Sequence, residues 1–334
     1  MNLCALKRWA ISGVFNETGS ADTTGAKEPT CSSQRARNLG FPAGDRTGDQ
    51  NTMNAPLLPL PRVYPFFFDV EPGTRLSLYH APAPHMPPRG AILYVHPFAD
   101  ELNKARRMAT LQARRFAAAG YAVLQIDLFG CGDSCGDLGV ARWETWKRDL
   151  GTARAWLAAR AGGGPMHLWG VRLGGLLALD AACGMEVDGV ILWQPFLNGR
   201  TCINQFLRQD LAARMRSGDA GSLGTTGQLR ADLNVRGMIE VGGYELAAPL
   251  VHAIDACDAA ALPLPPCQVH WFASGSPAPL RLAASAERIR RRWQARGATL
   301  HFHPIEGVPF WGANDIAECP ALLAATSAVF TGEG

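Results

Sequence analysis

From Pro165 the chain reads Pro-Met-His-Leu-Trp-Gly-Val-Arg-Leu-Gly-Gly-Leu-Leu-Ala-Leu-Asp. A short apolar strand enters Gly170-Val171-Arg172-Leu173-Gly174-Gly175, and an Ala/Leu-rich helix leaves it. This is the strand–turn–helix form of a nucleophile elbow, G-x-S-x-G, which holds one side chain at the mouth of an active site. Arg172 stands in the serine slot. A guanidinium has donors, no acceptor and a permanent charge, so it cannot attack a carbonyl. The fold signal and the chemistry signal disagree.

Electrostatics sharpens the conflict. Arg172 precedes a helix, whose N-terminal dipole disfavours a cation by about 0.3–1 kcal/mol. A partly buried arginine also needs a partner, because an unpaired buried charge is costly. An anion is therefore expected beside it. Asp100, Glu101 and Asp127 are the internal candidates. The alternative is a ligand carboxylate, sulfate or phosphate held by the guanidinium and helix N–H groups.

The elements that must position these residues alternate between strand and helix from about residue 60, which argues for an α/β fold with a mostly parallel sheet. Strands are expected at 63–69, 76–80, 90–96, 121–127, 166–169, 187–193, 268–273 and 299–305. Helices are expected at 106–119, 142–161, 173–182, 283–297 and 319–330. Trp143, Trp146, Leu150 and Trp156 form a stripe at helical spacing, which reads as core. Residues 198–262 break the rhythm with a helix over 205–216, a Gly/Ser/Thr-rich loop over 217–227, a strand near 238–241 and a helix over 244–254. They read as a cap inserted after a core strand. Residues 1–52 are polar and without period, and are expected to be disordered. Met53 reads as the true start, which makes the stretch before it a mis-assigned start. The main domain is then 53–334.

The chain has 334 residues, a net charge of +3 and 47% apolar residues. That balance argues against a dedicated nucleic-acid binder. The basic run Arg288–Arg296 reads as a solvated helix face. Nine cysteines are scattered without zinc-finger or thioredoxin spacing, as expected of reduced thiols in a cytoplasmic protein. No apolar run reaches the ~20 residues of a membrane span, and no signal peptide opens the chain.

Three anchors give the chain from about residue 60 onward a resemblance to the α/β-hydrolase superfamily, serine-aminopeptidase-like. They are Leu93-Tyr-Val-His-Pro-Phe-Ala-Asp-Glu101, the run Asp127-Leu-Phe-Gly-Cys-Gly-Asp-Ser-Cys-Gly-Asp137, and the elbow. The first stands in the place of the oxyanion-hole strand and loop, and the second resembles a D-x-x-G-x-G-x-S-x-G turn. More narrowly, His96–Met108, Gly130–Ser134, Leu192–Phe196, Gly243–Leu246 and Pro309–Trp311 resemble the exosortase A system-associated hydrolase 2 subfamily. That resemblance implies an ester or thioester hydrolase of bacterial loci for exopolysaccharide production and PEP-CTERM protein sorting.

A working hydrolase of this fold needs nucleophile, acid and histidine in chain order. The acid should follow the strand at 268–273, where Ser274-Gly-Ser-Pro-Ala-Pro279 offers no carboxylate. The histidine should follow the last strand, where Glu306–Asp315 offers none. All three positions depart from the pattern, which argues that Ser-His-Asp chemistry is absent.

Other constellations remain. Cys131, Ser134 and Cys135 lie on a turn at the carboxyl edge, where α/β sheets bind ligands. His96 exits a strand at the same edge, so Cys131 paired with His96 is one alternative and a tight structural turn is the other. His301 and His303 share a strand face without a further metal ligand at a completing spacing, so neither metal nor cofactor is expected. Asp315 and Glu318 read as capping or surface groups rather than a catalytic acid. The candidate ligand-contacting residues are Arg172, His96, Phe98 and Glu101. Three functions stay open: a hydrolase; a non-catalytic protein binding an anionic, acyl or glycan ligand or a partner protein; and a structural member of a cytoplasmic assembly.

Overall fold

The computed structural model describes residues 62–84, 86–217, 224–274, 284–313 and 315–331, all within one unit, Pro59–Gly334. The expected disordered stretch 1–52 and the start at Met53 lie outside the described residues, as do residues 275–279 of the segment searched for an acid.

Strands β1 (Val63–Asp69), β2 (Thr74–His80), β3 (Gly90–Val95), β4 (Tyr121–Ile126), β5 (Met166–Val171), β6 (Gly189–Trp193), β9 (Gln268–Ser274) and β10 (Thr299–Ile305) form one sheet. Their order is β1-β2-β4-β3-β5-β6-β9-β10. β2 pairs antiparallel with both neighbours, and every pair from β4 to β10 is parallel. The central strands β3, β4 and β6 are buried at every residue, because helices cover both faces of a parallel sheet. One face packs on α2 (Trp143–Ala158) and α3 (Leu173–Ala182), the other on α1 (Asp100–Ala118) and α8 (Pro320–Thr331). Trp143, Trp146 and Leu150 are core.

The helix α1 starts at Asp100, well before the expected 106. Its cap, Ala99, has φ 50° and no side-chain cap bond, while Asp100 and Glu101 in the first turn suit the helix dipole. Between β6 and β9 lie α4 (Gly199–Arg216), α5 (Thr226–Arg236), the hairpin β7 (Met238–Val241) with β8 (Tyr244–Ala247), and α6 (Ala248–Ala256). Two expectations are corrected here. The segment 244–254 is a strand followed by a helix, with Pro249 in the first turn of α6, where its missing N–H costs nothing. Of the loop expected over 217–227, residues 226 and 227 belong to α5, which a Thr225/Gln228 capping box opens, and 218–223 lie outside the described residues. The hairpin packs against the 3-10 turn Leu138–Val140 and α4 packs against α6, so this segment borders the carboxyl edge of the sheet.

The basic run on α7 (Ala284–Gln294) is a solvated face. Arg290 and Arg291 pair with Glu287, while Ala286, Ile289 and Trp293 are buried. No helix among the described residues is long and apolar enough to cross a membrane.

Candidate functional site

The elbow is built as the sequence motif requires. Arg172 sits at φ 55°, ψ −118° between β5 and α3, a backbone state that non-glycine residues rarely adopt. The two motif glycines make the turn possible. A Cβ on Gly170 would lie 2.4 Å from the carbonyl of Gly174, and one on Gly174 would lie 2.3 Å from the carbonyls of Val95 and His96. The other non-glycine residues with positive φ are Ala99, after β3, and Gln194, after β6 (among the described residues). Three residues with positive φ thus follow three neighbouring strands at the same edge of the sheet, and such strained positions cluster at ligand and active sites in proteins generally.

Arg172 is 7% exposed. Its Nε donates to both carboxylate oxygens of Glu101, at 3.3 and 3.4 Å, and Nη1 reaches the Gln194 carbonyl at 3.5 Å. The guanidinium lies 4.0 Å from the ring centre of Phe196 and 5.1 Å from that of Trp311. Each such cation–π contact contributes about 0.5–2 kcal/mol. Of the three internal anions, then, Glu101 is the partner. Burial pushes the Glu101 carboxyl above the usual range, and Arg172 opposes that shift. The other two candidates are corrected: Asp100 pairs with Lys104 at 2.7 Å, and Asp127 accepts from Arg106 at 2.8 Å and from the Asp133 N–H at 3.0 Å.

The alternative nucleophiles are occupied. The Ser134 hydroxyl donates to the Asp127 carbonyl at 2.5 Å and accepts from the Leu76 N–H at 2.9 Å. It ties β2 to the end of β4 and has no base beside it. The Cys131 thiol is pushed far up by burial and by the Asp127 and Asp149 carboxylates, which opposes thiolate formation. His96 accepts the Leu128 N–H at Nε2, 3.2 Å away. Its Nδ1 therefore carries the proton and donates to the Pro97 carbonyl at 2.7 Å. Burial also lowers its pKa. With both ring nitrogens bonded to backbone, His96 makes no hydrogen bond to Cys131. The Gly130–Gly136 turn is the tight structural one, with positive φ at Gly130, Gly132 and Gly136. Glu318 pairs with Arg107, and Asp315 is exposed.

After β10, where the histidine is missing, Trp311 packs against Arg172 instead. Sequence reasoning passed over Trp311 and Phe196 as partners of Arg172. Their signal lay in the Leu192–Phe196 and Pro309–Trp311 segments. It also missed His270, whose ring stacks with His301 and His303 and whose Nδ1 lies 3.2 Å from His303 Nε2. No group of three metal-ligating side chains capable of holding an ion occurs among the described residues.

A cavity of about 380 Å³ lies beside the elbow, without Arg172 itself on its wall. Glu101, Phe196 and Trp311, the side chains enclosing Arg172, form part of its lining, together with Phe98 and, from the inserted segment, Phe206 and Tyr244. A second groove of about 750 Å³ flanks the Gly130–Gly136 turn, with Arg106, Cys131 and Glu245 on its walls. It is the larger and takes in Ala99, whereas the side chains packed around Arg172 line the first.

Residues 86–245 match the family model for serine aminopeptidase, S33. That span runs from before β3 to the middle of β8, so it contains the elbow but neither the β9 nor the β10 exit. The human Protein ABHD12B is 28% identical over 169 residues, 44% of this chain and 45% of that protein. The match thus spans less than half of the curated relative. Among solved structures, Est1E from Butyrivibrio proteoclasticus with bound ferulic acid aligns at TM-score 0.57 and 14% identity, over 80% of this chain and 97% of that one. A thermostable carboxyl esterase from Bacillus coagulans aligns at 0.55 and 14%, over 81% and 98%. Mouse alpha/beta hydrolase domain-containing protein 10 aligns at 0.51 and 13%, over 81% and 100%. At such identities the likeness establishes the fold.

Proposed function

Taking the α/β-hydrolase fold as the premise, we propose that this chain is a non-hydrolytic binding protein that receives a small organic ligand in the cavity beside its elbow. The observation that carries the reading is Arg172, seated in the nucleophile's strained backbone position and held there by Glu101, Phe196 and Trp311. Acyl transfer at an elbow needs an attacking group, a base to take its proton and an orienting acid. The elbow offers a cation, the β10 exit offers an indole, and Ser134 and His96 spend their polar atoms on backbone. The cavity falls within the usual size of ligand sites, about 300–1,000 Å³, and has the mixed aromatic and polar lining expected of one. The subsidiary parts of the proposal are a cytoplasmic location and a place in an exopolysaccharide and protein-sorting locus, both resting on the resemblance.

The competing reading is an ester or thioester hydrolase, favoured by the family match over residues 86–245 and by the printed activity of the carboxyl esterase neighbour. Turnover of p-nitrophenyl acetate, butyrate and octanoate and of an acyl thioester separates the two. The binding reading expects rates at the buffer background. Saturable turnover that is lost in Ser134→Ala or Cys131→Ala would establish the hydrolase instead.

A further inference from the structure

The carboxylates on the wall of the 380 Å³ cavity are already compensated. Asp100 pairs with Lys104 at 2.7 Å. Glu101 accepts at 3.3 Å from Arg172, which is not itself on the wall. Asp210 lies 2.8 Å from Arg214 Nε and accepts the Gly242 N–H at 2.9 Å. Arg216 is the remaining charge in the lining. It stands exposed in the last turn of α4, where the helix dipole favours it and dissolved ions screen it. A charged ligand would therefore have to break into an existing pair, and losing its water without a counter-ion of its own is costly.

What the cavity leaves for a ligand is neutral. Gln205 and Gln209 lie one turn apart on α4, and Tyr244 comes from β8. Gln205 and Tyr244 are half-buried. Among the described residues neither amide nor the Tyr244 hydroxyl has a protein hydrogen-bond partner. Amides and phenols both donate and accept, which matches the needs of a ligand hydroxyl. Rings make up most of the remaining wall. Phe98 meets Phe206 edge-on at 5.2 Å, Phe206 meets Tyr244 at 6.3 Å, and Phe196 and Trp311 add to them. Cys202, Ala213, Gly242 and Gly312 close the lining without adding charge. Aromatic walls with a few placed amides suit a ligand that has an apolar face edged by hydroxyl groups. A pyranose ring has that form.

We propose, resting on the binding reading above, that this cavity selects an uncharged ligand with a saccharide head and a short apolar chain, and that Gln205 reads the hydroxyl groups. The paired charges act as exclusion. An anion meets the carboxylates Asp100, Glu101 and Asp210, and a cation finds each of them already held. Gln205 excludes the purely apolar ligand, which would cover its amide and replace none of the hydrogen bonds that water had supplied.

The test is calorimetric titration of the full chain with three probes that share one chain and differ in head group: hexyl β-glucoside, hexanoate and hexyltrimethylammonium. We expect the glucoside to bind at least about tenfold more tightly than either ion. Gln205→Leu should weaken the glucoside about tenfold and leave hexanoate unchanged, and Tyr244→Phe should weaken the glucoside several-fold. Neither substitution removes a protein hydrogen bond, and the wild-type order of affinities decides even where a variant fails to fold. An ion that binds as tightly as the glucoside, full glucoside affinity in Gln205→Leu, or no binding of the glucoside would each overturn the proposal. A preference for hexanoate would mean that Lys104 or Arg216 governs the cavity instead. Turnover of p-nitrophenyl hexanoate would sink the non-hydrolytic reading; an inert protein that ignores the glucoside sinks this inference alone.

Discussion

At the scale of single residues, Arg172 behaves as a buried ion-pair member whose backbone is fixed by the elbow. Replacing it with serine supplies the expected nucleophile but strands the buried Glu101 and removes both cation–π contacts. We expect Arg172→Ser to lose about 3 kcal/mol of stability in urea unfolding, and to gain no ester turnover because His96, the histidine beside the elbow, has both ring nitrogens bonded to backbone. Adding Glu101→Gln to that variant should recover part of the loss; no recovery would mean that the ion pair is not what Arg172 satisfies. Ser134 gives a second residue-scale test. Ser134→Ala leaves the Leu76 N–H and the Asp127 carbonyl without their partner, which costs about 1–3 kcal/mol. Its ligand binding should be unchanged, since the hydroxyl only joins β2 to β4. Much of this scale was hidden in the sequence. Asp100, Glu101 and Asp127 were equivalent candidates on paper, and only the direction in which α1 leaves Ala99 brings Glu101 alone to the guanidinium.

At the scale of elements, the tight joint is where α3 leaves β5 and passes under the exit of β3. Gly174→Ala places a methyl 2.3 Å from two carbonyl oxygens. It should cost about 1–3 kcal/mol or more in chemical unfolding, as overpacking does. Gly151, inside α2, is the control. A Cβ there meets only the end of Met185 at 3.7 Å, so Gly151→Ala should stabilise by about 0.5–1 kcal/mol. Equal effects at the two positions would refute the idea that the elbow, rather than glycine content, sets the constraint. This scale was the most legible. Fully buried parallel strands appear as unbroken apolar runs, and the elbow glycines are spaced by geometry alone. The start of α1 and the β8–α6 junction were not, because a strained, uncapped helix start and a four-residue strand leave no periodic signal. Trp311 illustrates the remaining gap. A tryptophan near the chain end reads as core until the fold brings the β10 exit against the β5 exit.

At the scale of the whole molecule, the half of the sheet from β5 to β10 carries a pH liability. His270 is pushed down to about 4 by burial and by neighbouring histidines, His167 to about 4 by burial, and His303 is lowered for the same reason. A histidine whose folded pKa lies below its unfolded value of about 6.5 favours the unfolded state once protons become available. Stability is therefore undiminished above pH 6.5 and is lost between about pH 6.5 and 4. Thermal melts across that window should fall, and His270→Phe should flatten the decline; a variant as acid-sensitive as the wild type would remove the histidine stack as the cause. The whole-molecule reading rests on the fold keeping its elbow, strained backbone and ligand cavity while an arginine fills the nucleophile's place. Its most direct test is exposure of the purified full-length chain to an excess of fluorophosphonate, followed by intact mass and peptide mapping. A chain without a serine nucleophile retains its unmodified mass. A stoichiometric adduct on one serine, formed at a rate that denaturation abolishes, would contradict the account.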